Sequence, residues 1–417
     1  MNAEVPTVTL DELAALQSAK VFGRKDSTRP YIGLEHIASG EPRLLGTAPS
    51  SESVSVNAVF ERDDILFGKL RPNLRKCVSA PFAGYCSTDI LVLRTRRGNS
   101  PRFVGHVFQS DAVFDAAIRS AIGTKMPRTN WSALAELRVF APSAEVEQSR
   151  IAEILDTLDV AISEAESSVA KLRQVKAGVL HDLFTRGLDE QGRLRDPAHH
   201  PEQFQESALG RIPKTWTPMP LLSPLSLVMD YRGRTPKKLG MSWGGDIPAL
   251  SAKNVYHGGI DLTRETYYGS QALYSRWMTN GDMQPNDVLL TLEAPLGNVA
   301  WVPDNRRYIL SQRVVLLRSD EEQLDAAFLR YQLMTDRFQR ALVHHSTGTT
   351  ATGIQRAKLE TIPIFVPKSL DEQKQIAAKL LHADERIAAE ESQLSKLQSL
   401  KRGLAHDLLT GRVRVTI

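Results

Sequence analysis

From 147 to 185 a seam of positions recurs alternately every three and four residues: Ile151, Leu155, Leu158, Ile162, Ala165, Val169, Leu172, Lys176, Val179 and Leu183. That period is the heptad of a coiled coil, so the stretch predicts one long helix. A second seam runs through Ile376, Leu380, Ala383, Ile387, Glu390, Leu394, Leu397, Lys401, Leu404 and Leu408, and Ser369 to Glu372 spells a capping box that would start it. A helix of nearly forty residues extends roughly 57 Å at 1.5 Å per residue, too long to bury its seam in one compact domain. The natural partner for each helix is therefore the other. Lys176 and Lys401 interrupt the two seams; a polar seam residue costs stability and can fix register and partner, or it can snorkel to water.

The two stretches are copies. Glu147 to Thr185 lies on Glu372 to Thr410 without a gap, and 17 of 39 positions are identical, including Gly178/Gly403, His181/His406 and Asp182/Asp407, which helical periodicity does not dictate. Upstream, LAELRVFAPS (134–143) lies on LETIPIFVPK (359–368), and IGTKMPRTNW matches STGTTATGIQR as a Gly/Thr-rich loop. DDILFGKLRP pairs with NDVLLTLEAP, and DILVLR with RVVLLR. The chain is thus a tandem duplication of a strand-rich module followed by a long helix. The boundaries expected are 1–143 for the first module, 144–185 for its helix, 186–212 for a linker, 213–367 for the second module, 368–410 for its helix and 411–417 for a tail.

Strands are expected at KVFGR, PYIGLEHI, DDILFGKL, KCVSAPF and DILVLRTR in the first module and at IPALSAKNV, DVLLTLEA, GNVAWVP and RVVLLRS in the second. Each module also carries an amphipathic helix before its Gly/Thr loop, near Phe103 to Ile118 and Ala326 to Leu342. The expected fold is α+β: two mixed modules and two long helices forming an antiparallel coiled coil. The linker, rich in Gly, Pro, Gln and charge, is expected to be an extended connection.

Composition narrows the class. A chain of 417 residues with net charge +4 and pI about 8.9 is mildly basic, which permits nucleic acid as a partner without demanding it. No apolar run is long enough to span a bilayer and the N-terminus is no signal peptide, so the cytoplasm is the expected location. Cys77 and Cys86 are too few for a zinc site without histidines at matching spacing. No metal site is expected. The repeated His-Asp pairs sit off the seam, and neighbouring helical residues point about 100° apart, so packing, capping or subunit contact explains them better than catalysis.

Candidate contacts lie in the loops: Lys69, Arg71, Arg75 and Lys76 in GKLRPNLRK; Lys125, Arg128 and Asn130; Arg232, Arg234, Lys237 and Lys238 in YRGRTPKK; Lys253 and Asn254; and Thr349, Thr350, Gln355 and Arg356. Arg and Lys bind phosphate or guanine, Asn and Gln can read adenine, and Gly/Thr loops let backbone amides approach phosphates. The P-loop, the H-E-x-x-H zinc motif, the dinucleotide fingerprint and the Asn/Asp-Pro-Pro-aromatic tetrapeptide of amino-methyltransferases do not occur. No catalytic residue is selected. A recognition protein fits best; a coiled-coil scaffold with two protein-binding modules would share the repeat but not a salt-dependent DNA affinity.

LFTRGLDEQGRLRD followed by LGRIPKTW, together with LFGKLRPNLRK, CSTDILVLR, DVLLTLEAPLGNVA and LSQRVVLLR, resembles the specificity subunit of type I restriction-modification enzymes over nearly the whole chain. The resemblance implies two target recognition domains, each reading half of a split, asymmetric double-stranded DNA sequence. It implies that the paired helices dock two modification subunits that use S-adenosylmethionine to methylate adenine. Restriction subunits powered by ATP and Mg would join for cleavage, with no cofactor on this chain. One departure is the start EVPTVTLDEL, which lacks the Ile-Pro-x-x-Trp of 212–216.

Overall fold

The computed structural model describes residues 6–22, 29–50, 55–207, 210–347 and 353–415. The chain forms two compact units, residues 1–168 with 390–417, and residues 169–389. In the first, an antiparallel sheet has the spatial order Ala14–Leu16, Ile90–Thr95, Ile65–Gly68, Cys77–Ser79. Its central strands are apolar on both faces because both are covered: Ile65, Phe67, Leu91 and Leu93 face one core, Leu66, Ile90 and Val92 the other. Each such side chain contributes about 1.5–3 kcal/mol by leaving water. A second, five-stranded sheet sets Pro30–Ile32 parallel to Gly84–Ser87.

The second unit repeats the plan. Leu225–Asp230, Val314–Ser319, Val288–Leu292 and Leu296–Trp301 follow the same spatial order, again antiparallel. Ile247–Leu250 lies parallel to Ile309–Leu310, as its counterpart does in the first unit. Thr7–Thr9 pairs with Arg138–Phe140 as Trp216–Pro220 pairs with Pro363–Pro367, so the departing N-terminal sequence still supplies the equivalent strand.

Several expected elements differ in extent. Each single helix expected before a Gly/Thr loop is two, Pro101–Phe108 with Asp111–Arg119 and Ala326–Met334 with Asp336–His344. Ser110 and Thr335 adopt extended backbone at the breaks, and the Thr335 hydroxyl accepts from the Phe338 amide, starting a new helix. PYIGLEHI is a strand only over Pro30–Ile32 and then a 3-10 turn, Leu34–His36. The linker is not a free extended connection: Leu188 and Phe204 are buried, and Phe204–Gln205 pairs with Ile212–Pro213.

The long helices, Glu145–Arg186 and Leu370–Leu409, pack antiparallel. In the first unit Ile151, Ala152 and Leu155 share a core with Leu404, Ala405 and Leu408; in the second Val179, Leu180 and Leu183 share one with Ile376, Ala377 and Leu380. Of the other seam positions, Val169 and Ile387 are buried, while Leu158, Ile162, Leu172, Leu394 and Leu397 are half-buried. Both seam lysines are ion-paired across the helices, Lys401 to Asp159 and Lys176 to Asp384 at 2.5 Å. Asp384 also accepts from the Tyr331 hydroxyl at 2.6 Å. The pairs are equivalent in the repeat, since Lys176/Lys401 and Asp159/Asp384 are each 225 apart.

The first turn of each long helix carries a Glu-Gln pair that sequence reasoning passed over. Gln148 accepts from the Ser100 amide and donates to Pro142 O and Asn99 Oδ1; Gln373 accepts from the Asp325 amide and donates to Pro367 O and Gln323 O. Glu147 binds Arg414 through two 2.7 Å hydrogen bonds. Glu372 accepts from Arg195 (2.6 and 3.1 Å), the Trp216 indole (2.9 Å) and the Leu188 amide (2.9 Å). Only half of the expected capping box therefore forms: Ser369 Oγ accepts from the Glu372 amide, but the Glu372 carboxylate turns to the segment that follows the other helix. The repeated identity of the pair in both copies was the available signal.

Candidate nucleic-acid interface

At one end of the first unit's sheet two loops cross. The strand Ile65–Gly68 runs into residues 69–76, and the Gly/Thr loop is a hairpin closed by reciprocal 3.0 Å bonds between Ile122 and Arg128. They are stitched together by Arg71 N–H to Pro127 O (2.7 Å) and Thr129 N–H to Lys69 O (3.0 Å). Arg71 and Arg75 bracket the turn Pro72–Leu74, both with left-handed backbone at φ 51°. That conformation costs an L-residue about 1–2 kcal/mol, and it is kept because the neighbouring bonds leave no alternative.

The cations here divide into two groups. Arg75 binds Asp111 and lies 4.8 Å from the Phe114 ring centroid, and the Lys76 ammonium donates to Leu34 O and Ile37 O at 2.7 and 2.8 Å. Arg128 grips Asp89 with two bonds of 2.9 and 3.1 Å, which hold the Asp89 carboxyl below its ordinary value. Asn130 caps the helix Trp131–Ala135, accepting from Ala133 N at 2.9 Å. These four brace the fold. Lys69 and Lys125 make no side-chain hydrogen bond among the described residues, and Arg71 is exposed with one bond to Lys125 O, so no carboxylate hydrogen-bonds to any of the three there.

The same crossing is built in the second unit. Val288–Leu292 leads to Glu293, which bridges Gly353, and the Gly/Thr loop is closed by bonds of 2.9 and 3.0 Å between Thr347 and Gly353. Thr349 and Thr350 lie outside the described residues. Ala294, like Arg71, precedes a proline with φ positive, at 39°. The matching positions carry different chemistry: Lys69, Arg71, Lys125 and Arg128 correspond to Leu292, Ala294, Thr350 and Gly353.

The second unit's cations lie on other loops. Arg232 binds Asp230 (2.6 Å at the shortest) and donates to Ile354 O; burial pushes the Asp230 carboxyl up, but the Arg232 hydrogen bonds outweigh it and hold it low. Arg234 donates to Trp277 O and stacks on Tyr231, Lys238 donates to Gly233 O, and Lys253 pairs with Glu265 at 2.5 Å. Lys237, Gln355 and Arg356 are exposed. Asn254 is a correction: it is 0% exposed, its Oδ1 accepting from Ser251 and its Nδ2 donating to Thr266 Oγ1 at 2.8 Å, so it cannot reach a base.

The repeated His-Asp-Leu-x-Thr is a helix ending. His181 and His406 are exposed, Leu183 and Leu408 are buried anchors, and Thr185 and Thr410 donate to the carbonyls of His181 and His406 at 2.7 and 2.6 Å. Among the described residues one trio could geometrically hold a cation, His106, Asp156 and Asp159, whose ligand atoms lie within 4.8 Å of one another. It is already balanced, because Arg102 and His106 bind Asp156 and Lys401 binds Asp159.

Residues 223–399 match the family model for the type I restriction modification DNA specificity domain. The chain is 27% identical over 334 residues to the putative type I restriction enzyme MjaX specificity subunit of Methanocaldococcus jannaschii, covering 78% of this chain and 72% of the relative. It is 26% identical over 300 residues to the MjaVIII specificity subunit of the same organism, covering 70% and 66%. Among solved structures, the S subunit of a type I restriction-modification system from M. genitalium superposes with TM-score 0.59 at 15% identity, covering 100% of this chain and 98% of that one. A chain from a study of complex assembly and conformational transition of the type I R-M system superposes with TM-score 0.52 at 18% identity, covering 98% of each. At these identities the superpositions speak to the fold.

Proposed function

We propose that this chain, which belongs to the type I restriction-modification specificity subunits, reads a split DNA target with one half-site for each module. The observation that carries this is the loop crossing built twice on the same strand order with unlike side chains. Equal frames bearing unlike groups suit two different short sequences at fixed separation. The half-sites are therefore expected to be unlike, and the methylated motif asymmetric.

The chain itself is non-catalytic on this reading. S-adenosylmethionine belongs to two modification subunits docked on the paired helices, and ATP with Mg to restriction subunits; the work is done in the cytoplasm, where the DNA is. Among the described residues no helix is long and apolar enough to cross a membrane. The test is a genome-wide N6-methyladenine map with the gene intact and deleted. Loss of one bipartite motif is expected. An unchanged map in cells expressing this chain and its methylating partner would defeat the proposal.

A further inference from the structure

The first unit's crossed loops expose apolar side chains that the fold does not need. Ile122 is 77% exposed, Met126 49% and Leu74 38%. Single exposed apolar residues are ordinary on any protein surface. These three belong to two loops that hydrogen bonds tie together, Arg71 N–H to Pro127 O and the Ile122/Arg128 pair, so their exposure is built in.

The second unit supplies the control. Thr347 and Gly353 there exchange the same pair of backbone bonds as Ile122 and Arg128, yet 347–353 reads TGTTATG, with nothing larger than threonine where the first unit has IGTKMPR. That pair of bonds therefore does not require a large apolar side chain at the position of Ile122. Lys69, Arg71 and Lys125 come from the same two loops. Exposed apolar side chains and cations carried on the same two loops complement a polyanion with an apolar interior. Ile, Leu and Met are among the side chains that DNA-binding proteins press between base pairs, unstacking a step at a cost of a few kcal/mol that the added contacts offset.

Resting on the DNA-recognition reading above, we propose that the hairpin Ile122–Arg128 is a wedge. Met126, backed by Ile122 and Leu74, enters between two base pairs of the first module's half-site, while Lys69, Arg71 and Lys125 hold the flanking phosphates. The matching segment of the second module, TGTTATG, has no large apolar side chain to insert, so deformation of the target is one-sided.

The test uses the full-length chain assembled with its methylating subunits and duplexes carrying the motif that the methylation map defines. 2-Aminopurine is placed singly through both half-sites, the target adenines being left unsubstituted. The wild type is expected to raise fluorescence several-fold at one step in one half-site only. Ile122→Ser with Met126→Ser abolishes that rise and weakens binding about tenfold, the worth of one buried apolar side chain. Met126→Leu, which keeps the apolar volume, retains the rise. An unchanged fluorescence pattern and affinity in the serine variant would overturn the wedge while leaving DNA recognition standing. So would intact DNA binding with loss of the methylating subunits, which would make the patch a protein interface. If the wild-type complex binds no DNA, recognition fails and the wedge with it.

Discussion

Glu147 and Glu372 occupy the same place in the repeat, yet removing them should cost very different amounts. The Glu372 carboxylate accepts four hydrogen bonds, from two Arg195 nitrogens, the Trp216 indole and the Leu188 amide. Its side chain and that of Arg195 are 9% and 10% exposed. Glu372→Ala would strand a guanidinium, an indole N–H and a backbone N–H out of reach of water. Breaking a buried ion pair costs about 3–5 kcal/mol. Glu147 by contrast binds an Arg414 side chain that is 52% exposed and, more weakly, the Val415 backbone amide, so water replaces most of what Glu147→Ala removes, leaving about 1 kcal/mol. Of the five tryptophans, Trp216, Trp243, Trp277 and Trp301 lie in the second unit and Trp131 in the first, so urea unfolding of Glu372→Ala is followed by the fluorescence of the intact chain and that of Glu147→Ala in a background that keeps only Trp131. With a urea slope of about 3 kcal/mol per molar, Glu372→Ala moves the midpoint down by about 1–2 M, while Glu147→Ala leaves it within about 0.3 M. Equal shifts for the two variants, or a Glu372→Ala shift below about 0.5 M, would refute the accounting.

Further expectations concern charge. The Arg414 hydrogen bonds hold the Glu147 carboxyl below its usual 4.5, so the stability it contributes is full above that pH and is lost as pH falls through the lower folded value. Protection factors across 411–415, taken against the intrinsic exchange rate at each pH, should accordingly fall in acid, with Glu147→Gln removing that pH dependence; a variant whose protection still tracks pH would point to another group. Arg71→Ala with Lys125→Ala should flatten the log–log salt dependence of DNA binding by about 0.9 for each phosphate no longer neutralised, whereas Arg128→Ala, whose partner is Asp89, should change it little. An equal slope change for all three arginine and lysine sites would undo the division between bracing and ligand-binding cations. Lys401→Asp should destabilise the first unit and Asp159→Lys on the same chain should restore it; a double-mutant coupling near zero would mean the seam pairs do not set register.

The long helices were legible because a seam of ten positions in each copy carries its own period, and the central strands because both faces are apolar. The second-layer strands, such as Pro30–Ile32 and Ile309–Leu310, are short and held by partners distant in sequence, so their extent could not be read locally. The same limit explains the site. Residue type made Arg75, Lys76, Arg128 and Asn254 candidates, but Asp111, Leu34, Asp89 and Thr266 occupy them, and those pairings exist only once the chain has folded. Lys69, Arg71 and Lys125 share the same residue types and differ only in having been left over.

The first unit is assembled from both ends of the chain. Leu404 and Leu408 complete its core, and the Arg414 bond to Glu147 spans 267 positions, whereas the second unit is contiguous. Translation therefore inverts the usual order of maturation: residues 169–389 have every element they need before the segment that finishes the first unit leaves the ribosome. The nascent first half spends that interval with the sites for Leu408 and Arg414 open.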